Sequence, residues 1–197
     1  MTRETKKANK RRKHSYLFRE RVFVGKGIDI GCGRDILNKR VFRKITSVEP
    51  FDFVDGDAQY INCCRPEASY DFVYSSNCLE HMNDPAVALK NWFALVKEGG
   101  YLVITVPDED LYEQGSFPSR FNPDHKWTFT IQKKESWCDK SVNITDLLNE
   151  LEGSKIVRIE LVDTNYDYSR KNEDQTRGKA EAFIEVVVQK TKDSRYW

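Results

Sequence analysis

Two glycines at a predicted strand-to-helix turn, and an acidic residue after the next strand, are the residues best placed to bind a ligand. The turn reads Gly27-Ile-Asp-Ile-Gly-Cys-Gly33, with Gly31 and Gly33 at its end. Glycine lets backbone N–H groups approach a ligand closely and adopts positive φ without strain. Glu49 stands 18 residues after Gly31, at the predicted end of the next strand, where a carboxylate can accept both hydroxyls of an adenosine ribose.

The spacing of these glycines separates two classes of adenosine-containing ligand. A dinucleotide site requires the pattern G-x-G-x-x-G, and Ile36 occupies the position of its third glycine. Such a site also rarely has an acid within its first strand, where this chain has Asp29. The turn therefore favours an adenosine ligand without a pyrophosphate.

The elements that must position these residues alternate between strands and helices. The predicted strands are 26–30, 45–48, 70–74, 101–106, 155–162 and 182–189. Helices are predicted over a charged segment near residues 34–42, from an Asp84-Pro85 start to Gly99-Gly100, and over 143–151. This alternation predicts an α/β sheet with helices on both faces. Only the loop 163–181 joins the last two strands, which suits an antiparallel pair.

Five motifs occur in the order that class I S-adenosylmethionine-dependent methyltransferases show. They are GIDIGCG (27–33), VEP (48–50), DGDA (55–58), YDFVYSSNCLEH (70–81) and the helix running into KEGGYLVITVP (97–107). Over roughly residues 20–190 the chain resembles this family. The resemblance implies a Rossmann-like single domain whose sheet has seven strands, mostly parallel with the last strand antiparallel, and helices on both faces.

The resemblance also implies S-adenosyl-L-methionine as the cofactor and S-adenosyl-L-homocysteine as its product. The positions that match cofactor-binding residues are Asp29, Gly31, Cys32, Gly33, Glu49, Asp57, Ala58 and Asn77. The first four hold the methionine end, Glu49 binds the ribose, the Asp57-Ala58 pair contacts the adenine amino group, and Asn77 lies beside the sulfonium. Many relatives have a third glycine after Gly33, where this chain has Arg34-Asp35.

Methyl transfer to a hydroxyl requires a group that takes up the hydroxyl proton, most often a histidine or a carboxylate. His125 lies in the stretch Pro118–Phe129 after the fifth strand of the implied sheet, on the face where doubly wound sheets bind ligands. We predict His125 as the general base, oriented by Asp124 or a neighbouring carboxylate. His81, at the end of the fourth strand, is the alternative base. A satisfied histidine in a self-packed loop is the non-catalytic alternative for His125.

The same stretch contains residues that suit a sugar. Arg120 offers a charge clamp and Trp127 a stacking surface, while Tyr166 and Tyr168 of loop 163–181 are predicted to form a second wall. The sequence RFNPDH resembles bacterial methyltransferases that accompany glycosyltransferases and modify surface-polysaccharide sugars. We therefore expect a small-molecule or glycan substrate with a hydroxyl acceptor.

Composition limits the class of protein. The chain has 197 residues, of which 39% are hydrophobic and 32% charged, as expected for one globular domain. Residues 1–14 carry seven Lys or Arg and one acid, Glu4, which predicts a flexible basic tail before a domain of residues 15–197. Five cysteines without a CxxC pair indicate a reducing, cytoplasmic compartment and no metal site. Without an apolar run of 18 residues, no membrane span is expected.

Two further functions stay open at this point. An RNA or protein methyltransferase could use the basic tail for docking, although the slightly acidic remainder makes nucleic acid an unexpected partner. A catalytically silent partner subunit with the same fold is the other alternative.

Overall fold

The computed structural model describes residues 3–131 and 133–192. Its helices are α1 Glu4–Arg12, α2 Pro85–Ala94 and α3 Ile144–Asn149. Its strands are β1 Gly25–Ile30, β2 Ile45–Phe51, β3 Tyr70–Ser76, β4 Val96–Pro107, β5 Thr128–Thr130, β6 Ser141–Asn143, β7 Ser154–Val162 and β8 Phe183–Lys190. Short 3-10 and π-helical turns complete the chain, among them Leu17–Val22, Leu79–His81 and Glu109–Glu113.

The main sheet has the strand order β2-β1-β3-β4-β8-β7. Strands β1 to β4 are parallel to one another, and β8 runs antiparallel to both β4 and β7. The predicted antiparallel final strand is thus confirmed. Strand β4 is buried along most of its length, as expected for a central strand with covered faces. The sheet brings the carboxyl ends of β1, β3 and β4 to one edge, where the ligand-binding residues lie.

The prediction of seven strands is wrong for the described residues, because the main sheet has six. The missing strand would lie beyond β2. The chain between β2 and β3 instead forms two 3-10 turns, Phe53–Asp55 and Ala58–Cys63, each capped at its start by an aspartate side chain. These turns return the chain directly to β3, so β2 stays at the edge of the sheet.

Two helix predictions also need correction. Residues 34–42 form turns instead of a helix, because the Asp29 carboxylate accepts the Leu37 N–H and the Asn38 side chain accepts the Arg40 N–H, which competes with helical hydrogen bonds. Helix α2 starts at Pro85 as predicted, with both Ala86 and Val87 N–H groups donating to Asp84. It ends at Ala94, before the predicted glycine stop.

The basic segment at the amino terminus is not a flexible tail where the structure describes it. Residues 4–12 form α1, and Arg12 is 1% exposed. Arg12 Nε donates to Glu185 Oε2 of β8 at 2.7 Å, and Arg11 Nη2 donates to the same oxygen at 2.7 Å. The two guanidinium groups lower the pKa of Glu185 to about 2 in spite of its burial. The tail is therefore part of the folded domain.

No helix of the described residues is long and apolar enough to cross a membrane.

Candidate active site

Two cavities meet at the carboxyl edge of the sheet, and Gly31, Asn77 and His81 line both of them. The first cavity has a volume of about 610 Å³. Its other lining residues include Asp52, Phe53, Gly56, Asp57, Ala58, Gln59, Cys78 and Met82. The second cavity has a volume of about 280 Å³. Its other lining residues include Glu4, Thr5, Cys32, Gly33, Asp35, Glu80, Tyr112, Asn122, His125 and Thr176.

The glycine turn separates the two cavities and has the conformation that the sequence predicts. Gly31 and Gly33 have φ values of 71° and 52°, in the left-handed region that other residues adopt at a cost. A Cβ on Gly31 would lie 2.5 Å from the Cys78 sulfur. Gly31 N–H donates to Phe51 O at 2.8 Å, so the turn is fixed to the end of β2. Cys32 follows on the side of the second cavity.

Asp29 supports the turn from within the protein. It is 1% exposed, and its Oδ2 accepts the Leu37 N–H at 2.7 Å. Burial raises the pKa of Asp29 to about 8. Neither cavity includes Asp29 among its lining residues. In the described structure Asp29 therefore holds the segment after the glycine turn and does not face the ligand space directly.

The predicted ribose acid, Glu49, lies away from the first cavity. β2 extends to Phe51, two residues past Glu49, and Glu49 pairs in register with Ile28 instead of with the end of β1. Its carboxylate accepts hydrogen bonds from Arg65 Nε at 2.6 Å and from Tyr70 OH at 2.7 Å.

The acid that follows the end of β2 is Asp52, which lines the first cavity. Its Oδ1 accepts the Phe53 N–H. Asp52 therefore stands directly after β2, the place at which Glu49 was predicted, and the ribose role of Glu49 stays a prediction. The sequence did not indicate Asp52 because Pro50 suggested that the strand ends before it, whereas β2 continues to Phe51.

Asp57 and Ala58 lie in the first cavity, as predicted for adenine-contacting residues. Asp57 begins a 3-10 turn and accepts the Gln59 N–H at 2.8 Å. The Ala58 carbonyl accepts the Trp92 indole N–H at 2.8 Å, which fixes this turn on α2. Asp57 can therefore cap the turn and still face a ligand, because the cap uses one carboxylate oxygen, Oδ1, and leaves the other for the cavity.

Asn77 ends β3 in the left-handed conformation, with φ 54°. Its N–H donates to Thr105 O of β4 at 2.9 Å. Its side-chain Oδ1 is buried and has no hydrogen-bond partner in the described structure. A residue held in this conformation at the boundary of two cavities is well placed to contact a ligand that extends through both.

Four titratable side chains form a cluster beside the second cavity: Glu80, His81, Glu113 and His125. The His125 Nδ1–H donates to Glu113 Oε1 at 2.7 Å, and His125 Nε2 lies 3.9 Å from Glu80 Oε1. The rings of His81 and His125 meet edge to face with centroids 5.0 Å apart. The His81 Nδ1–H donates to the backbone oxygen of Asp124 at 3.1 Å. We call these four residues the carboxylate–histidine cluster.

Burial and charge determine the protonation of this cluster. The side chains of Glu80 and Glu113 are 0% exposed. Burial raises the pKa of Glu80. Burial alone would lower the pKa of His125, but the hydrogen bond to Glu113 and the charges of both glutamates raise it. Of the two predicted possibilities for orienting His125, Asp124 or a neighbouring carboxylate, the structure has the second, Glu113. Asp124 contributes its backbone oxygen, which orients His81.

The predicted substrate-binding residues lie outside both cavities. Arg120 donates to Asn172 Oδ1 at 2.9 Å, and Trp127 donates to Met82 O at 3.1 Å with Lys140 over its ring. Tyr166 and Tyr168 line a separate cavity of about 360 Å³ together with Trp137. Loop 163–181 does contribute to the second cavity, but through Thr176.

Sequence reasoning missed Glu80, Glu113 and the α1 residues Glu4 and Thr5 as cavity or cluster residues. Glu4 and Thr5 reach the second cavity because α1 packs across it. Glu113 ends a π-helical turn, Glu109–Glu113, that gives no simple periodic signal. Glu80 was within reach of the sequence, since it immediately precedes His81 in a motif that had already been singled out.

Comparison with known structures shows the same fold in several methyltransferases. An S-adenosylmethionine-dependent methyltransferase of Archaeoglobus fulgidus has a TM-score of 0.59 at 19% identity, with 96% of this chain and 95% of that chain covered. A candidate S-adenosylmethionine-dependent methyltransferase of Listeria monocytogenes has a TM-score of 0.58 at 13% identity, with 96% and 100% covered. The Haloferax volcanii complex of the Trm112 methyltransferase activator with a candidate methyltransferase gives 0.58 at 12% identity, with 95% and 94% covered.

No curated protein matches the chain. The model of the Methyltransferase domain family, however, matches residues 2–154, more than three quarters of the sequence. This match supports the cofactor and the enzyme class that the motifs predicted. The chain belongs to the Methyltransferase domain family and is an S-adenosylmethionine-dependent methyltransferase.

Proposed function

We propose that this enzyme transfers the methyl group of S-adenosyl-L-methionine to a hydroxyl of a small acceptor, a sugar or sugar-linked intermediate of surface-polysaccharide biosynthesis in the cytoplasm. The observation that carries the proposal is the position of the carboxylate–histidine cluster. It lies beside a small cavity that joins a larger one at Gly31, Asn77 and His81. A hydroxyl acceptor needs a nearby group that takes its proton, and the cluster supplies it.

The residues present fit the cofactor. The first cavity offers Asp52 for the ribose hydroxyls and the Asp57-Ala58 pair for the adenine. The glycine turn leaves room for the methionine end, because a side chain on Gly31 would fill the passage toward Cys78. The buried, unpartnered Oδ1 of Asn77 suits contact with a positive sulfur centre at the boundary of the cavities. When bound, the cofactor supplies a methyl group already activated by that positive charge.

The second cavity suits a small polar acceptor. Its volume of about 280 Å³ is at the lower end of ligand sites. Its walls come from α1, the glycine turn, the Leu79–His81 turn and loop 163–181, and include the side chains of Asn122 and Thr176. Hydroxyl and amide groups of this kind can orient the hydroxyls of a sugar. Orientation matters because in-line methyl transfer depends on holding the reacting atoms about 3–3.5 Å apart.

Within the cluster, His81 is the better proton acceptor of the two histidines. A carbonyl oxygen accepts hydrogen bonds only, so the bond from His81 Nδ1 to Asp124 O places the ring proton on Nδ1. Nε2 of His81 then has a free lone pair. His125 lies between two carboxylates that raise its pKa, and its ring is held by Glu113, so it is the less available proton acceptor of the two. We therefore assign the base to His81 Nε2, with His125 and Asp124 as positioning residues.

The structure favours the docking alternative less than the sequence did, because three of the seven bases that suggested an RNA- or protein-binding tail, Lys7, Arg11 and Arg12, are paired within the domain. Lys7 Nζ lies 2.9 Å from Glu4, and Arg11 and Arg12 contact Glu185. A guanidinium that neutralises an internal carboxylate has little capacity left for phosphate.

The test is methyl incorporation from labelled S-adenosyl-L-methionine into a panel of nucleotide sugars and glycans, with RNA and protein as parallel acceptors. We expect label in a sugar hydroxyl and formation of S-adenosyl-L-homocysteine, both lost in His81→Ala. The matched control is His14→Ala, which removes an exposed histidine and should methylate normally. Label in RNA or protein alone, or cofactor binding without transfer to any acceptor, would contradict the proposal.

A further inference from the structure

Three side chains of the carboxylate–histidine cluster have the composition of a transition-metal site. Glu80, His81 and His125 each place one potential ligand atom within 4.8 Å of the other two. We propose that these three residues bind a divalent transition-metal ion such as Mn²⁺, Fe²⁺ or Co²⁺ at the wall of the second cavity. Two imidazoles and one carboxylate form a ligand set that suits these ions and leaves coordination positions open.

The hydrogen bonds of the two histidines are those of metal ligands. In both rings Nδ1 donates, in His81 to the Asp124 carbonyl at 3.1 Å and in His125 to the Glu113 carboxylate at 2.7 Å. A carboxylate or carbonyl partner on one ring nitrogen orients a metal-bound histidine and makes its other nitrogen more basic. Both Nε2 atoms are thereby available as ligands. Glu113 and the Asp124 backbone act as the second layer of the site.

Glu80 provides the independent reason to expect a cation. Its side chain is 0% exposed, and neither of its oxygens has a hydrogen-bond partner among the described residues. A buried carboxylate without partners is costly unless a charge or a donor compensates it. The nearest ring nitrogen, His125 Nε2, lies 3.9 Å from Glu80 Oε1, beyond hydrogen-bond distance. The space between a carboxylate and an imidazole nitrogen is where an ion would satisfy both.

The spacing requires only a small adjustment. Bonds of about 2.1 Å to a metal place ligand atoms roughly 3–3.5 Å apart, so side-chain rotations of about an ångström would close the site. The competing occupant is a proton on His125 Nε2. Because metal ligands must be deprotonated, ion binding would release that proton.

The location gives the ion a role that rests on the proposed function. His81 lines both cavities, and Glu80 and His125 line the second. An open coordination position would therefore face the acceptor. With an ion bound, His81 would serve as a ligand instead of a base, and the ion would lower the pKa of an acceptor hydroxyl at its open position so that water could take up the proton. With the site metal-free, His81 Nε2 takes the proton directly.

The experiment measures Mn²⁺ binding to the full chain, followed by the loss of the electron paramagnetic resonance signal of the free ion. Mn²⁺ is chosen because it binds thiolates poorly, and Cys63 and Cys64 are exposed free cysteines. We expect one equivalent bound per chain. Glu80→Gln and His81→Ala should each weaken binding at least tenfold, and Glu113→Gln should weaken it about 10–100-fold through His125.

The matched control is Glu4→Gln, which removes a buried carboxylate of the same cavity outside the cluster and should bind Mn²⁺ as the wild type does. Titration with S-adenosyl-L-homocysteine verifies that each variant is folded, and His81→Ala decides the matter if Glu80→Gln does not fold. Absence of stoichiometric binding, or equal binding in Glu80→Gln and His81→Ala, would overturn the proposal. If Mn²⁺ binds and the methyl-incorporation assay labels no sugar hydroxyl, the metal site stands and the proposed function fails. If a sugar hydroxyl is labelled and Mn²⁺ does not bind, the proposed function stands and the metal site fails.

Discussion

The two cavities are neighbours, but they are built from different kinds of interaction. In the first, Asp52 and Asp57 each accept a backbone N–H that follows them in the chain. In the second, Glu80 is fully buried and its side chain has no hydrogen-bond partner among residues 3–131 and 133–192, while Glu113 and His125 pair from different parts of the chain. Short polar caps that stay accessible suit the binding of a ligand. Buried charges next to titratable rings suit proton or metal chemistry.

This difference between the cavities predicts that cofactor affinity and catalytic turnover depend on different residues. If the first cavity binds the adenosine and the second performs the acceptor chemistry, variants in the two cavities must have different effects. The following predictions test this separation, from the largest expected effect to the smallest.

The largest effect should come from His81→Ala. Removal of the general base, or of a metal ligand at the same position, should lower turnover about 10²–10⁴-fold. Steady-state methyl transfer measures this change. Although His81 lines both cavities, its assigned role is proton transfer and not cofactor contact, so the affinity for S-adenosyl-L-homocysteine should stay within about twofold. A mutant with intact turnover would remove the base assignment from His81.

Next in size is the loss of the buried Arg12 charge. Arg12→Met should destabilise the protein by about 3 kcal/mol, at the lower end of what breaking a buried ion pair costs, because Arg11 still contacts Glu185. Urea unfolding measures the free energy. Lys13→Met removes an exposed charge of the same segment and should change stability by no more than about 0.5 kcal/mol. If Arg12→Met and the wild type had the same free energy of unfolding, the result would support the original prediction that residues 1–14 form a flexible tail.

A comparison of two acids tests the first cavity. Asp52→Asn should weaken binding of S-adenosyl-L-homocysteine by about 1.5–3 kcal/mol, the value of hydrogen bonds to a charged group. Glu49→Gln should have a much smaller effect on binding, because its carboxylate is bonded to Arg65 and Tyr70. Calorimetric titration measures both. A large loss of binding in Glu49→Gln, with no loss in Asp52→Asn, would show that Glu49 and not Asp52 binds the ribose.

The smallest effect concerns the pH dependence of stability. Burial raises the pKa of Glu4 from 4.5 to about 7, so the folded state holds this proton more tightly than the unfolded state. Its stabilising effect is complete below about pH 4.5 and is lost as the pH rises through 7. Between pH 6 and pH 7.5 the wild type should therefore lose about 1 kcal/mol more than Glu4→Gln. Parallel unfolding curves at both pH values would contradict this shift.

The first cavity could be predicted well because its signals are local. The glycine turn and the Asp84-Pro85 helix start each depend on residues within a few positions of one another, and the structure has both as expected. The end of β2 was predicted at Val48 and lies at Phe51, so Glu49 falls within the strand and Asp52 is the acid that follows it. The prediction of a seventh strand was wrong for a related reason, because the described chain between β2 and β3 forms two capped 3-10 turns and no strand.

The second cavity could not be predicted in the same way, because its partners are distant in the chain. Arg11 and Glu181 are 170 positions apart. The sequence therefore did not indicate that Arg11 is paired within the domain, and the basic segment was predicted to be solvated. The Glu113–His125 pair joins a π-helical turn to a loop without periodic pattern. Buried charges of this kind are stabilised by tertiary contacts, and sequence spacing does not reveal them.

The most direct test of the division between the cavities is one titration series with S-adenosyl-L-homocysteine against the wild type, Asp52→Asn and His81→Ala. The division predicts at least tenfold weaker binding to Asp52→Asn and unchanged binding to His81→Ala, although His81→Ala is the variant that loses turnover. Unchanged binding to Asp52→Asn, or an equal loss in both variants, would show that the two cavities do not divide the work in this way.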